Sequence, residues 1–221
     1  MKIAVLGLGL MGLAMATRLQ ATGHRVCGWN RSRGRLAAAH EAGLDASTDA
    51  DTMGSANVLV LTLSDAAAIG NALDHAAPLE DRLVIQMGTI GPDESRAVAA
   101  RVEAAGGRSL EAPVLGSIPE ARSGTLIIMA GGGKEHFEAA LPVLEALGTR
   151  PTLVGPTGQG AALKLAMNQL IAGLTTAFSA SLGLVRAEGI ETDLFMALLR
   201  ASALYAPTFD KKLGKMLAHD Y

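Results

Sequence analysis

The chain has 221 residues, a formal net charge of −2 and 49% hydrophobic residues. This is enough to bury a core as one or two domains, and it excludes a chain of disordered composition. The near-neutral charge and the 3% aromatic content argue against a nucleic-acid partner. With Cys27 as the one cysteine, an internal disulfide is excluded. The histidines show no metal-ligand spacing, so we predict no metal site.

The start of the chain and one long apolar segment bear on the compartment. The apolar run that opens the chain is too short for a signal peptide, and a single cysteine suits a reducing compartment, so we expect a cytoplasmic protein. Residues 165–185 carry no charge and are about long enough to span a membrane. Polar residues within that segment, such as Asn168 and Thr175, favour a water-soluble helix, so we predict no membrane partner.

Short apolar runs alternate with helical patterns through the first part of the chain. The runs predict strands at residues 2–7, 24–29, 57–63, 83–87, 108–113, 125–131 and 151–155. Alanine-rich segments with helical periodicity lie between them and are followed by glycine. This alternation predicts an α/β fold with a doubly wound parallel sheet that is covered by helices on both faces.

The pattern changes at a turn cluster that begins at Pro156. Beyond it the sequence predicts no strand, and it predicts helices at about 160–188, 192–203 and 207–218. We therefore predict two domains, an α/β domain at residues 1–156 and an all-helical domain at residues 157–221.

The stretch GLGLMG at residues 7–12 has the spacing G-x-G-x-x-G at the end of the first strand and the start of the first helix. In that context Gly7 makes a tight turn, Gly9 lets a pyrophosphate approach the backbone, and Gly12 allows close packing of helix on strand. The backbone amides at the start of the helix then hold the anion. We predict a Rossmann-type dinucleotide-binding domain, with contacts from Gly7, Leu8, Gly9, Leu10, Met11 and Gly12.

The end of the second strand indicates which dinucleotide is bound. A carboxylate at this place would bond the ribose 2′-hydroxyl of NAD. The chain instead has Asn30, followed by Arg31, Ser32, Arg33 and Arg35. Guanidinium groups without a neighbouring anion favour a 2′-phosphate. We therefore predict NADP as the cofactor, with NAD less favoured, and we predict that Asn30, Arg31 and Ser32 bind it.

Lys164 is the one formal charge between Pro151 and Val185. An isolated lysine on a helix is commonly solvated, but this helix is apolar or small on every side and should be largely buried. Burial and the positive end of the helix dipole both ease the loss of a proton, which suits a general acid. Asn168 lies four residues on, and we predict that it shares a face with Lys164 and helps to bind one substrate oxygen.

Five motifs in order resemble the β-hydroxyacid dehydrogenase family, to which 3-hydroxyisobutyrate dehydrogenase is related. They are the glycine stretch, WNRS (29–32), QMGTIGP (86–92), EAPVLGSIPEARSGTLIIMAGG (111–132) and GPTGQGAALKLAMNQ (155–169). The resemblance covers essentially the whole chain. Glu111 and the segment GTLIIMAGG look most like the glyoxylate and succinic semialdehyde reductase branch, and this implies reduction of small aldehyde acids with NADPH.

The resemblance also implies roles for individual residues. Thr89 would contact the cofactor near the nicotinamide, Lys164 would be the catalytic lysine, and Asn168 would be its partner. Leu63 and Ser64 lie where a cofactor-lining loop is expected, although Ser64 and the next residue, Asp65, equally suit a helix cap. The substrate, a small molecule that bears a carboxylate, would be bound by Leu115, Gly116, Ser117, Lys164 and Asn168.

The chain departs from the family pattern at several places. Leu115 stands where the family has a serine that helps to hold the substrate carboxylate, so the backbone amides of Gly116 and Ser117 would hold it alone. The family usually has serine at Gly88 and asparagine at Met167, and neither change removes the proposed acid. The family also continues beyond the end of this sequence. We therefore expect a helical domain that is incomplete relative to the family, exposes apolar surface and associates as a homo-oligomer.

Other functions stay open at this point. An imine reductase of the same architecture fits Leu115, which makes the pocket less suited to a carboxylate, although such enzymes usually replace the lysine with another acid. A nucleotide-binding module without catalysis would bind NADPH without turnover. A structural protein with a vestigial fold would not bind NADPH at all.

Overall fold

The structure is a computed structural model that describes residues 1–218. Its strands are β1 (Lys2–Leu6), β2 (Arg25–Trp29), β3 (Asp45–Ser47), β4 (Val58–Leu61), β5 (Leu83–Gln86), β6 (Arg108–Glu111), β7 (Val114–Leu115), β8 (Ile127–Gly131) and β9 (Thr152–Gly155). Its helices are α1 (Leu10–Ala21), α2 (Leu36–Glu41), α3 (Ala66–Ala76), α4 (Pro92–Ala104), α5 (Ile118–Ser123), α6 (Lys134–Leu147), α7 (Gln159–Ala187), α8 (Thr192–Arg200) and α9 (Pro207–Ala218). Every predicted strand and each of the three C-terminal helices is present.

The strands form one sheet in the order β3-β2-β1-β4-β5-β6-β8-β7, and β9 pairs with β8. The strands from β3 to β6 in this order are parallel, as predicted, but β8 is antiparallel to β6 and to β7. The predicted parallel sheet is therefore confirmed from β3 to β6, and the sheet is mixed at the β8 edge. A parallel connection needs a long crossover, and between β6 and β8 the chain makes only β7 and the six-residue α5. It turns back beside β6 instead.

Helices cover both faces of the sheet, which confirms the doubly wound Rossmann-type arrangement. Successive side chains of β1 point to opposite faces, so Val5 joins a core that includes Met15 of α1, whereas Leu6 joins a second core that includes Ile69 and Leu73 of α3. All five of these side chains are buried, so both faces exclude water over the centre of the sheet. This rigid centre holds the loops at the carboxyl ends of the strands.

The chain divides into two compact units, residues 1–165 and residues 166–221, of which the last three residues, including His219, lie outside the described part. The division falls inside α7, whereas the predicted domain boundary at residue 156 follows the last strand. The two-domain division at that residue stays a prediction. In the second unit, Phe178 of α7 packs on Phe209 of α9 with ring centroids 4.8 Å apart, and Met196 of α8 joins them.

Apolar side chains of the second unit are exposed on α7, on α8 and in the turn between α8 and α9. Leu184, Leu198 and Leu204 are 66%, 65% and 78% exposed. Such surface favours association with another chain, and the predicted homo-oligomer stays a prediction.

By length and composition α7 also qualifies as a membrane-spanning helix, and 11% of its most apolar segment is buried. The expectation that it lies in water rests on its polar residues.

Candidate functional site

The glycine stretch forms a tight turn between β1 and α1. Gly7 has φ +100°, a backbone conformation that residues with a Cβ rarely adopt. A Cβ on Gly12 would lie 1.9 Å from the carbonyl oxygen of Gly7, so α1 can pack this closely on the turn only with glycine there. A Cβ on Gly9 would meet no atom within 4 Å, which leaves open space beside the backbone. The turn therefore has the shape that close approach of a pyrophosphate requires.

The start of α1 suits an anion. Gly9 occupies the N-cap position, and no side chain caps the helix there, so the N–H groups of its first turn keep their capacity to bind a ligand. Of the other predicted contacts, Leu8 is buried, and Leu10 is 66% exposed and lines a separate groove with Leu13 and Thr17. The side chains of Leu8 and Leu10 therefore lie away from the ligand-facing side of the turn.

Asn30 connects the glycine turn with the arginine-rich segment. Its Oδ1 accepts a hydrogen bond of 3.0 Å from the backbone N–H of Leu8, and its Nδ2 donates to the carbonyl oxygen and the hydroxyl of Ser32. The amide is therefore held at the carboxyl end of β2 by partners on both sides. This bracing role was not predicted, because it depends on a contact between residues that are far apart in the sequence.

A cavity of about 420 Å³ lies beside this turn, and we call it the arginine cavity. No acidic side chain of the described chain lines it, and two guanidinium groups do. Its lining residues are Gly9, Trp29, Asn30, Arg31, Ser32, Arg35, Leu63, Ser64, Ala68 and Asn71. This set suits a ligand that carries negative charge, and it includes six residues predicted to bind the cofactor.

The sequence left open whether Ser64 and Asp65 line the cofactor loop or cap the next helix, and in the structure Asp65 caps the helix while Ser64 lines the cavity. The carboxylate of Asp65 caps α3 by accepting a 2.8 Å hydrogen bond from the N–H of Ala68. The Ser64 hydroxyl donates to the same carboxylate at 2.7 Å, and this bond, with the cap, lowers the pKa of Asp65. Ser64 also lines the arginine cavity and the cavity described next, as does Leu63.

The second cavity, which we call the lysine cavity, has a volume of about 310 Å³ and lies entirely within the first unit. It brings together Met11 of the glycine stretch, Thr89 and Lys164, which are distant in the sequence. The other lining residues are Met15, Thr62, Leu63, Ser64, Met87, Gly88, Val114 and Gly116. Since it shares Leu63 and Ser64 with the arginine cavity, the two form neighbouring parts of one crevice at the carboxyl ends of the strands.

Lys164 is the only charged residue among those that line the lysine cavity. It is 9% exposed, and among the described residues its ammonium has no hydrogen-bond or ion-pair partner. Burial lowers the pKa of Lys164 because the charged form loses contact with water. An ammonium in this state is a proton donor that is not committed to any group of the first unit.

The predicted substrate loop is only partly directed to this cavity. Gly116 lines it, whereas Leu115 and Ser117 are not among its lining residues. Both the backbone N–H and the hydroxyl of Ser117 donate to the carboxylate of Glu120, at 2.8 Å and 2.6 Å. Asn168 follows Lys164 by four residues in α7 and belongs to the second unit. Its partnership with Lys164, and the substrate contacts of the loop, stay predictions.

Sequence reasoning missed two features of the crevice. The hydroxyl of Thr62 donates a 2.6 Å hydrogen bond to the carbonyl oxygen of Gly7, which ties the end of β4 to the glycine turn. A Cβ on Gly88 would lie 2.3 Å from the carbonyl oxygen of Leu63, so this position admits no side chain in the present backbone. The departure from serine at position 88 was noted, but only the packing explains it.

Comparisons with known proteins agree with this geometry. Residues 2–155 match the family model described as the NAD binding domain of 6-phosphogluconate dehydrogenase. The chain is 32% identical over 227 residues to glyoxylate/succinic semialdehyde reductase 1 of Arabidopsis thaliana, with 100% of this chain and 78% of that protein covered.

Solved structures give the same fold. A Mycobacterium tuberculosis 3-hydroxyisobutyrate dehydrogenase with L-serine superposes with a TM-score of 0.81 at 27% identity, covering 93% of this chain and 72% of that one. A reductive aminase from Aspergillus terreus in complex with NADPH and ethyl levulinate also gives 0.81 at 27% identity, covering 90% and 71%.

Proposed function

The chain belongs to the NAD(P)-dependent hydroxyacid dehydrogenase and reductase family that carries the 6-phosphogluconate dehydrogenase type of NAD-binding domain, and on this basis we propose that it reduces small aldehyde or keto acids with NADPH. The reverse reaction is the oxidation of a β-hydroxy acid. One observation carries the proposal: Lys164, a residue that is 9% exposed and whose ammonium has no partner among the described residues, lines the same cavity as Thr89 and Met11.

The choice of NADPH rests on the arginine cavity. A 2′-phosphate would meet the guanidinium groups of Arg31 and Arg35 with no lining carboxylate to repel it. The hydroxyl of Ser32 and the amide of Asn30 supply further hydrogen-bonding groups at the end of β2. The pyrophosphate would lie at the start of α1, where Gly9 leaves room.

The proposed chemistry places the acid and the cofactor on one substrate carbonyl. The carbonyl carbon would receive a hydride, which is the chemistry that NADPH would supply when bound. Negative charge then grows on the oxygen, and Lys164 gives that oxygen a proton and becomes a neutral amine. In the oxidative direction the neutral amine of Lys164 takes the proton from the hydroxyl. We propose that Asn168 assists by donating a hydrogen bond to the same oxygen.

The substrate class follows from the relatives and from the charge in the cavity. We propose a small compound that bears a carboxylate, as the name of the plant relative indicates for that enzyme. The backbone of Gly116 and the ammonium of Lys164 would contact it, together with the neighbouring residues Leu115 and Ser117. We propose that the enzyme works in the cytoplasm as a homo-oligomer.

The direct experiment is the loss of NADPH absorbance with a panel of glyoxylate, succinic semialdehyde and related acids. Turnover that is faster with NADPH than with NADH supports the proposal. Binding of NADPH by calorimetry without turnover on any compound would identify a nucleotide-binding module instead, and no binding would overturn both functions.

Reduction of imines is the second candidate. It is favoured by the occupied N–H and hydroxyl of Ser117, which leave fewer groups for a carboxylate, and by the similarity to a reductive aminase. Both reactions need a proton donor, but imine reductases of this architecture usually carry another acid in place of the lysine, so Lys164 argues for carbonyl reduction. Comparison of cyclic imines with aldehyde acids of similar size separates the two candidates.

A further inference from the structure

Glu111 is a buried carboxylate that joins two helices. It is the last residue of β6 and is 2% exposed. Its Oε1 accepts hydrogen bonds from the backbone N–H groups of Gly158, Gly160 and Ala161, at 2.8 Å, 2.7 Å and 3.3 Å. Its Oε2 accepts a hydrogen bond from the hydroxyl of Ser95 in α4. One side chain therefore holds the start of α7 with one oxygen and α4 with the other.

The carboxylate acts as the cap of α7. The first N–H groups of a helix have no partner within the helix, and a negative charge there is favoured by the helix dipole. A cap normally comes from a residue next to the helix in the sequence. Here it comes from a strand that lies 47 to 50 residues earlier, so it fixes the first turn of α7 relative to the sheet.

The surroundings leave the carboxylate one position. A Cβ on Gly131 would lie 2.2 Å from Oε1, and a Cβ on Gly160 would lie 3.0 Å from it and 2.5 Å from the carbonyl oxygen of Met129. The strand β8 and the start of α7 thus approach Glu111 as closely as glycine permits. A side chain enclosed in this way cannot change its orientation without moving the helix that it caps.

Both helices held by Glu111 carry or adjoin a residue that lines the lysine cavity. Lys164 lies four residues after Gly160, which is about 6 Å along the helix axis. At the other oxygen, α4 begins at Pro92, three residues after Thr89. We infer that Glu111 is a positioning residue, which holds the first turn of α7 and α4 together and thereby fixes Lys164 in the lysine cavity that Thr89 also lines. The catalytic part of this inference rests on the proposed function.

Three substitutions separate geometry from charge. Glu111→Gln keeps the length, since its amide oxygen can accept from the three N–H groups while its NH2 donates to Ser95. Glu111→Asp keeps the charge but is one methylene too short to hold both helices. Glu111→Ala removes all four bonds. Leu144→Ala, in the buried core of α6 and away from both cavities, is the control for a general loss of stability.

We expect the full chain with Glu111→Ala or Glu111→Asp to lose on the order of 100-fold in kcat, as displacement of a reacting group does, with KM for NADPH unchanged. Glu111→Gln should retain most of the rate. The second readout needs no substrate: lysines are dimethylated with labelled formaldehyde, and the Lys164 signal, identified by its loss in Lys164→Met, is titrated by NMR. Its pKa should rise towards the ordinary value in the Ala and Asp variants, because the displaced amine becomes more hydrated.

The contrary results are equally distinct. If Glu111→Ala and Glu111→Asp lose no more rate than Leu144→Ala, and the Lys164 signal titrates as before, Glu111 only stabilises the fold. If Glu111→Asp is active and Glu111→Gln is not, the charge matters and positioning is overturned. If the unsubstituted protein turns over no compound, the proposed function fails, while the Lys164 titration still decides whether Glu111 positions it.

Discussion

The carboxamide oxygen of Asn30 and the backbone N–H of Leu8 are joined by a hydrogen bond of 3.0 Å, so the end of β2 and the glycine turn move as one piece. The residue that we propose to recognise the ribose therefore also supports the turn that we propose to receive the pyrophosphate. A substitution here must keep an acceptor for Leu8 if its effect on cofactor choice is to be measured separately from its effect on the fold.

Asn30→Asp meets that condition and should change the cofactor preference. Its carboxylate can still accept from Leu8, although it no longer donates to the carbonyl oxygen of Ser32. It brings a negative charge into the arginine cavity, where it repels a 2′-phosphate and accepts from a 2′-hydroxyl. We expect NADPH affinity to fall by about 10- to 100-fold, the range of one charge-assisted hydrogen bond, and NADH affinity to rise. Calorimetry with both cofactors measures this, and Arg31→Ala, which should weaken NADPH alone, is the companion variant. Unchanged preference in both variants would contradict the assignment of NADP.

Gly9 and Gly12 should respond differently to alanine. Gly9 has an extended backbone with open space at its Cβ, so Gly9→Ala should leave the unfolding temperature unchanged. It should weaken NADPH binding by about tenfold or more, because the methyl group occupies the approach of the pyrophosphate. Gly12→Ala places its methyl 1.9 Å from the carbonyl oxygen of Gly7, and we expect a loss of stability of at least about 1–3 kcal/mol. Thermal melts of the two variants with and without NADPH test these expectations. If both substitutions lower the unfolding temperature equally, the assigned difference between Gly9 and Gly12 is wrong.

Lys164→Met should separate activity from stability. Loss of a general acid lowers kcat by about 10²- to 10⁴-fold. The same change removes the charge of a residue that is only 9% exposed and whose ammonium has no partner among the described residues, so the unfolding temperature should increase. Steady-state rates and a thermal melt of the two proteins are sufficient. Full activity of the methionine variant on the best substrate would exclude Lys164 as the acid.

The pH dependence should follow the lowered pKa of Lys164. The reductive reaction needs the protonated amine, so its rate should fall as pH rises through that pKa, at lower pH than for an ordinary lysine, and the oxidative rate should rise. Lys164→Arg keeps the charge but does not release a proton, and it should lose both the rate and this limb of the profile. If the reductive rate of the arginine variant still falls over the same pH range, the titrating group is not Lys164.

The same shift predicts how stability depends on pH. The pKa of Lys164 is lower in the folded chain than in the unfolded chain, so the unfolded chain binds more protons between the two values and stability rises with pH there. The stability advantage of Lys164→Met should therefore be largest below the folded pKa and should shrink as pH approaches the ordinary lysine value. Urea unfolding at a series of pH values measures the difference. An advantage that grows with pH would have the wrong sign.

The sequence predicted the elements and the family, and both are confirmed, because apolar periodicity and glycine spacing are local signals. It missed β3 and β7, which have three and two residues and too little periodicity to be read. It also missed the reversal at β8, since strand direction is decided by the packing of the intervening segment. Glu111 was noted only through resemblance, because its partners lie in α4 and α7 and no local pattern reveals them.

The close contact between Gly88 and Leu63 limits how this crevice can be altered. Leu63 follows β4 and Gly88 follows β5, so the two loops lean on each other where both border the lysine cavity. Introducing at position 88 the serine that the family resemblance implies would place its Cβ against the backbone of the adjacent loop. Such a substitution is expected to succeed only if both loops are exchanged together, as a matched pair from one donor enzyme.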